Sequence, residues 1–305
     1  MRHIANFAHA LPLDDLLFQE PFYVTHAGRE HVTPRQPYPR PGHPSYYGFT
    51  WADGRVLGEF CLVLLLSGKG EIETARGMQT VRAGQGFLYQ PGEWHRHRPA
   101  QSSGWTAMWI NFNGSLPHRW MRDETFRLNK NLIEVDDPRL FQGQFRQLVG
   151  TIHAASTRNS LLFSWQAIGL VARFLHEVPA STRPFAAEPS TIPLVAAALD
   201  FIWSHSHNQI GVDDIAQFVG ANRRTLERRF KAATGDTLLH EIHRCRISRA
   251  ALLLRQTDAP LKYIVGRAGF ASHQQQRQTF RRHFGQAPKT FRRDRRVTNL
   301  NNPIP

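Results

Sequence analysis

The chain has 305 residues, 41% of them hydrophobic, with a formal net charge of +14. That length suffices for two separate cores of ordinary size, and with only two cysteines, Cys61 and Cys245, a disulfide framework and a four-cysteine zinc site are both excluded. The charge is uneven: Ser190 to Pro305 holds 19 Lys and Arg against 8 Asp and Glu, the footprint of a partner for a polyanion.

At the start, Met1 to Ala10 lacks the apolar core of a secretory signal, and the longest apolar run, Phe60 to Leu66, is strand-sized and far short of a membrane span. The expectation is a cytoplasmic protein with no membrane partner. From about Tyr47 to Phe112 glycines punctuate short apolar runs: Phe60 to Leu66, Glu71 to Thr74, Gln79 to Arg82, Phe87 to Gln90 and Trp105 to Phe112. Gly68-Lys69-Gly70, Arg76-Gly77 and Pro91-Gly92 read as turns, so this stretch predicts a β-barrel or jelly roll. Trp105, Ala107 and Trp109 alternate along one strand and share a side. Glu93, His95 and His97 alternate in the same way. They raise the alternative of a metal-dependent cupin enzyme with a basic helical appendage, although the stretch Leu64 to Glu73 carries no histidine to complete the ligand set.

Helices are predicted next over roughly Pro138 to Ala154 and Ser160 to Glu177. In the second, Leu161, Leu162, Trp165, Ile168, Ala172 and Leu175 are read as one apolar face, suited to covering the barrel or pairing with a second subunit. Residues 179–192, rich in Pro, Ala and Ser, read as a linker, which divides the chain into 1–178, the linker, and 193–305.

Past the linker, Leu194 to Ser206 has helical periodicity. Val212 to Val219 forms a short helix closed by Gly220, and a new helix opens on the N-cap Asn222, with Leu226 and Phe230 turned inward. Arg223, Arg224, Glu227, Arg228 and Lys231 are then left outward, as in the recognition helix of a helix-turn-helix. Arginine can bond guanine twice, and glutamate can accept from cytosine. The arrangement repeats: a long helix over Leu238 to Gln256, a short one over Leu261 to Ala268, a turn at Gly269-Phe270-Ala271 and a last helix capped by Ser272 and stopped by Gly285 and Pro288. Phe280 and Phe284 anchor it, while His273, Gln274, Gln275, Gln278 and Arg281 are read as its DNA-facing side, glutamine being suited to adenine edges.

Asp214-Ile215-Ala216 with Leu226-Glu227-Arg228-Arg229-Phe230, and Gly269-Phe270 with Phe280, Phe284, Gly285, Pro288, Phe291 and Arg292, resemble AraC/XylS-type transcription regulators. The resemblance implies two helix-turn-helix units joined by a linker helix, Leu238 to Gln256, entering successive major-groove segments. By position, Arg224, Glu227 and Arg228 are the implied base readers of the first unit, and His273, Gln274, Gln275 and Gln278 those of the second. Gln276 stands where the family pattern has an aromatic residue or Leu, and Val265 where it has Ala.

Upstream, Gly68-Lys69-Gly70, Gly84-Gln85-Gly86 and Pro91-Gly92-Glu93-Trp94-His95 resemble the cupin-like barrel of sugar-responsive members of that family. The implied whole is an α+β protein: a barrel domain with a helical extension, then an all-α DNA-binding domain. Arg55, His95, His97, Trp105 and Trp109 are the expected effector contacts, with aromatic faces for sugar C–H groups and Arg and His for hydroxyls. The partners implied are a double-stranded DNA operator, a small effector of the sugar type, a second copy of the chain and RNA polymerase. Activation is the implied sense of regulation, and no cofactor, metal or catalytic residue is expected.

Overall fold

The computed structural model describes residues 6–12, 16–39, 50–122, 132–134, 137–155, 160–176 and 192–299. The predicted linker, residues 179–192, lies outside them except for Ile192. The first half of the chain is a nine-stranded sheet folded on itself: β1 (Phe7–Ala10), β2 (Tyr23–Val32), β3 (Arg55–Val56), β4 (Phe60–Thr74), β5 (Gly77–Arg82), β6 (Gln85–Tyr89), β7 (Trp94–Pro99), β8 (Trp105–Asn113) and β9 (Leu132–Glu134). The strand order is β1-β2-β8-β4-β6-β9, with β5 and β7 on the far half of β4 and β3 on β7.

The organising strand is β4. Phe60, Leu62 and Leu64 face one core, while Cys61, Val63 and Leu65 face another, so both sides of the strand are buried and its sequence is an unbroken apolar run. The first core is closed by α2 (Pro138–Ala154) and α3 (Ser160–His176) through Phe141, Phe145, Phe163 and Phe174; the second is the barrel interior, with Phe87, Tyr89 and Trp105. A short helix, α1 (Ser115–Arg122), follows β8.

Three sequence expectations change here. Gly68-Lys69-Gly70 is no turn: β4 runs through it, bending at a register shift against β8 between Leu65 and Ser67. Its glycines allow close approach, since a Cβ on Gly70 would lie 2.6 Å from the Trp105 ring, while Gly68 takes φ +80° against the Gly104 carbonyl. Second, β1 and β2 precede the region read as barrel, and β2 escaped notice because Thr25, His26 and Glu30 are buried polar residues in it. Third, α3 buries Phe163, Ala167, Leu170, Val171 and Phe174, and of the face expected from sequence only Leu175 is fully buried, with Ile168 partly so. Leu162 and Trp165 are 47% and 58% exposed.

The second half is helical: α4 (Ile192–His205), α5 (Val212–Phe218), α6 (Arg223–Thr234), α7 (Leu238–Gln256), α8 (Leu261–Arg267), α9 (His273–Phe284) and α10 (Pro288–Asn299). The spine is α7. Its first half, with Leu238, Ile242 and Cys245, shares a core with α4, α5 and α6. Its second half, from Ile247 to Leu254, shares one with α8, α9 and α10. Both cysteines are buried, and neither forms a disulfide among the described residues.

The halves interlock. Leu17, Phe18 and Tyr23 join the second helical core, Ser248 donates to the Gly58 carbonyl at 2.7 Å, and the Arg249 guanidinium lies 4.4 Å from the Phe18 ring centre. On the other side His118 stacks on Trp203, and Arg119 pairs with Asp200 at 2.8 Å.

Candidate DNA interface and effector cavity

The two helix-turn-helix units are built alike. In the first, the Asn222 side chain accepts the Arg224 N–H at 2.9 Å to start α6, and Gly235, at φ +76°, ends it in the left-handed conformation. Leu226 and Phe230, both fully buried, hold α6 against α4 and α7; removing a phenyl ring from such a site costs about 3–5 kcal/mol. The face opposite is exposed and contains Arg223, Arg224, Glu227, Arg228 and Lys231, as expected from sequence, and also Arg229.

Charges on that face are partly committed. Arg223 bonds Asp213 of α5 at 3.1 Å and Glu227 at 3.2 Å, and both partners raise its pKa. Arg223 therefore braces α6 on α5. Arg224, Arg228, Arg229 and Lys231 make no ion pair among the described residues and are open to a polyanion.

In the second unit Ser272 caps α9 by accepting the Gln275 N–H at 3.1 Å, while the Gln275 amide oxygen accepts the Ala271 N–H at 3.0 Å. Gln275 is thus half-buried and tied to the turn, whereas His273, Gln274, Gln278 and Arg281 are exposed. Arg277 and Arg282 are exposed as well; the sequence reading passed over Arg277 although it follows Gln274 by three positions and precedes Arg281 by four, the spacing of one helix face. Gln276 is 1% exposed, and its amide nitrogen has no hydrogen-bond partner among the described residues. A buried amide donor in that condition costs about 1–3 kcal/mol.

Inside the barrel a narrow cavity of about 30 Å³ is lined by Glu30, Tyr38, Arg55, Cys61, Val63, His97, Trp105, Ala107 and Trp109. Four of the five expected effector contacts, Arg55, His97, Trp105 and Trp109, line it together. The fifth, His95, stands behind Arg55: its Nε2 accepts from the Arg55 Nε at 3.0 Å and its Nδ1 donates to the Glu93 carbonyl at 3.0 Å. Burial and then the Arg55 charge push its pKa well down, so it is a neutral imidazole that positions the guanidinium. Glu30 and Tyr38 were missed with their segment. The Glu30 carboxylate accepts from Trp105 Nε1 at 2.9 Å and from the Tyr38 hydroxyl at 3.3 Å, which places a carboxylate and a guanidinium in one aromatic chamber. Burial is also the first cause raising Cys61, to about 12, so the thiol lining this chamber stays protonated.

Glu93, His95 and His97 do not form a metal cluster among the described residues. Glu93 caps its turn by accepting the Gln90 N–H at 3.2 Å, His97 pairs with the Tyr89 hydroxyl at 3.2 Å, and Arg55 places a positive charge where a cation would sit on His95.

Two family models match the chain: an AraC-like ligand binding domain over residues 42–171 and a helix-turn-helix domain over residues 215–294. The chain thus carries an AraC-like ligand binding domain ahead of a helix-turn-helix domain.

Among curated relatives, the xylose operon regulatory protein of Haemophilus influenzae is 28% identical over 174 residues, 53% of this chain and 44% of that protein. The arabinose operon regulatory protein of Salmonella typhimurium is 25% identical over 236 residues, 76% of this chain and 83% of the relative. The match therefore spans less than half of the first relative's length and most of the second's. In fold the chain is similar to ToxT from Vibrio cholerae, at a TM-score of 0.50 and 12% identity, covering 90% of this chain and 99% of ToxT.

Proposed function

We propose that this chain is a sequence-specific DNA-binding transcription regulator whose barrel cavity takes a sugar-type effector. The observation that carries the DNA reading is the pair of capped helices α6 and α9, each anchored by buried Phe230 or Phe280 and each turning an exposed polar face away from its core. Arg224, Arg228 and Lys231 on α6, and His273, Gln274, Gln278 and Arg281 on α9, are the groups offered to a duplex. Arginine and glutamine on these faces match base edges, and the remaining cations match phosphates.

The effector reading rests on the cavity. Trp105 and Trp109 supply aromatic faces for sugar C–H groups, and Arg55, His97 and Glu30 supply polar groups for hydroxyls. The names of the relatives, regulators of xylose and arabinose operons, agree with a pentose-like ligand. Ligand and DNA are linked through the shared core in which Tyr23 of β2 meets α7, and such coupling is worth about 1–3 kcal/mol.

Further parts of the reading are a division at 179–192, a homodimer, action as an activator through RNA polymerase, and a cytoplasmic place of work. The exposed Leu162 and Trp165 on α3 support the dimer, since a paired copy would remove that apolar surface from water. No helix of the described residues is long and apolar enough to cross a membrane.

The test is selection of a binding site from random duplexes, with pentoses and hexoses added singly. One recovered sequence whose affinity changes with one sugar is expected; recovery of no consensus in any condition contradicts the reading. Trp109→Ala is expected to abolish the response to that sugar and to leave sugar-free DNA binding unchanged. An undiminished response removes Trp109 from the site.

A further inference from the structure

Away from both sites, a cleft of about 450 Å³ opens between the first half of α7 and the second half of α9. Its walls carry His240, His243 and Arg244 from α7 and Arg282 and His283 from α9, with the hydroxyl-bearing Thr237 and Thr279 at its edges. His283 lies against Gly92 in the β6–β7 turn, so this side of the helical domain meets the barrel.

The chemistry is that of hydrogen-bond donors gathered without an acceptor. Nε2 of His243, Nε2 of His283 and Nε of Arg244 are buried and have no hydrogen-bond partner among the described residues. The carboxylates at the site are already held, Asp236 by His240 at 3.1 Å and Glu241 by Arg244. Arg282 is exposed and makes no ion pair among the described residues. Each neutral imidazole can place its proton on the unpartnered Nε2, and the guanidiniums add fixed charge.

We propose that this cleft is a second binding site, for a phosphate-bearing anion. An oxyanion with several oxygens accepts from His243, His283, Arg244 and Arg282 at once and satisfies donors that the protein leaves unmade. The site is separate from the sugar cavity, and it lies on the second half of α9, away from His273 and Gln274 at its N-terminus and beside Arg281. That position favours a free phosphorylated metabolite over a backbone phosphate of DNA, which would present the same chemistry. Burial first, then the charges of Arg244 and His240, hold His283 down at about 4; a bound dianion reverses the sign of that local charge and raises it.

Isothermal titration of the full chain with sodium pyrophosphate at constant ionic strength tests the site, alongside Arg282→Gln and His243→Gln. Saturable binding is expected, weakened about fivefold to tenfold by each variant at unchanged thermal midpoint. The His283 ring, followed by NMR, is expected to titrate at higher pH with pyrophosphate present. Adding a random-sequence duplex first distinguishes the sources: suppressed binding assigns the site to DNA phosphate, and undiminished binding to a free anion. Absence of binding, or equal affinity in wild type and both variants, overturns the proposal.

Discussion

The two helix-turn-helix units repeat one design fifty residues apart, Asn222 with Ser272, Leu226 with Gln276, Phe230 with Phe280 and Gly235 with Gly285, yet they differ in what they bury and what they show. The first buries a leucine and shows ions, several of them engaged with one another. The second buries an unsatisfied amide and shows two amides and an imidazole beside the guanidiniums of Arg277, Arg281 and Arg282. Caps and phenylalanine anchors are thus enough to fix the helices, while the outward residues are free to differ in how they contact a duplex. The core position between cap and anchor, Leu226 or Gln276, sets how firmly each unit is held.

The largest effect expected from this comparison is that of making the first unit like the second. Leu226→Gln is expected to lower unfolding free energy by about 3 kcal/mol, because it removes a buried apolar side chain and adds an unpaired amide. Denaturant titration followed by circular dichroism measures this, and a loss under about 1 kcal/mol would show that this site tolerates an amide.

On the outward side, Arg228→Ala is expected to weaken binding to the selected site about tenfold to a hundredfold, with the loss concentrated at one base pair. A uniform loss across sequences, with a salt dependence lowered by about one phosphate, would make Arg228 a backbone contact instead.

The reverse core exchange is smaller. Gln276→Leu is expected to raise stability by about 1 kcal/mol, read as a higher midpoint in the same titration. An unchanged or lowered midpoint would mean that the amide is satisfied in solution.

Only the second unit's core takes in the barrel residues Leu17, Phe18 and Tyr23, and beside them His26 is buried with its pKa down at about 3, through burial and then Arg255, despite the Glu59 carboxylate 3.7 Å away. The sign follows from linkage. Above pH 6.5 His26 is neutral folded or unfolded and contributes nothing; below it the unfolded chain takes a proton that the folded chain refuses, so stability falls until about pH 3. The cost approaches about 1.4 kcal/mol per pH unit. His26→Gln is expected to flatten the fall of unfolding free energy between pH 6.5 and 5, and an unaltered slope would show that His26 protonates without disrupting this junction.

How much of this was legible in the sequence follows the same division. The helical half could be read closely, because Asn222, Ser272, Gly235 and Gly285 act locally and the apolar residues between them keep helical spacing. Gln275 was legible as part of α9 but not as a cap, since its bond to the Ala271 N–H depends on the shape of the turn. In the barrel, Arg55, His97, Trp105 and Trp109 were found through family resemblance and strand alternation. Glu30 and Tyr38 were not, because a strand with buried Thr25, His26 and Glu30 carries no apolar period. The face of α3 was misjudged for a related reason: both sides hold large apolar residues, and only the packing against β2 decides that Phe163 and Phe174 go in while Trp165 stays out.

The central claim is that α6 and α9 read neighbouring major-groove segments together. Guanine and adenine methylation protection on the selected site, with the wild type, Arg228→Ala and Gln278→Ala, tests it directly. Two protected patches are expected on one face of the duplex, about 10 base pairs apart, with Arg228→Ala erasing one and Gln278→Ala the other. A single patch that both variants weaken alike, or protection that neither changes, would contradict it.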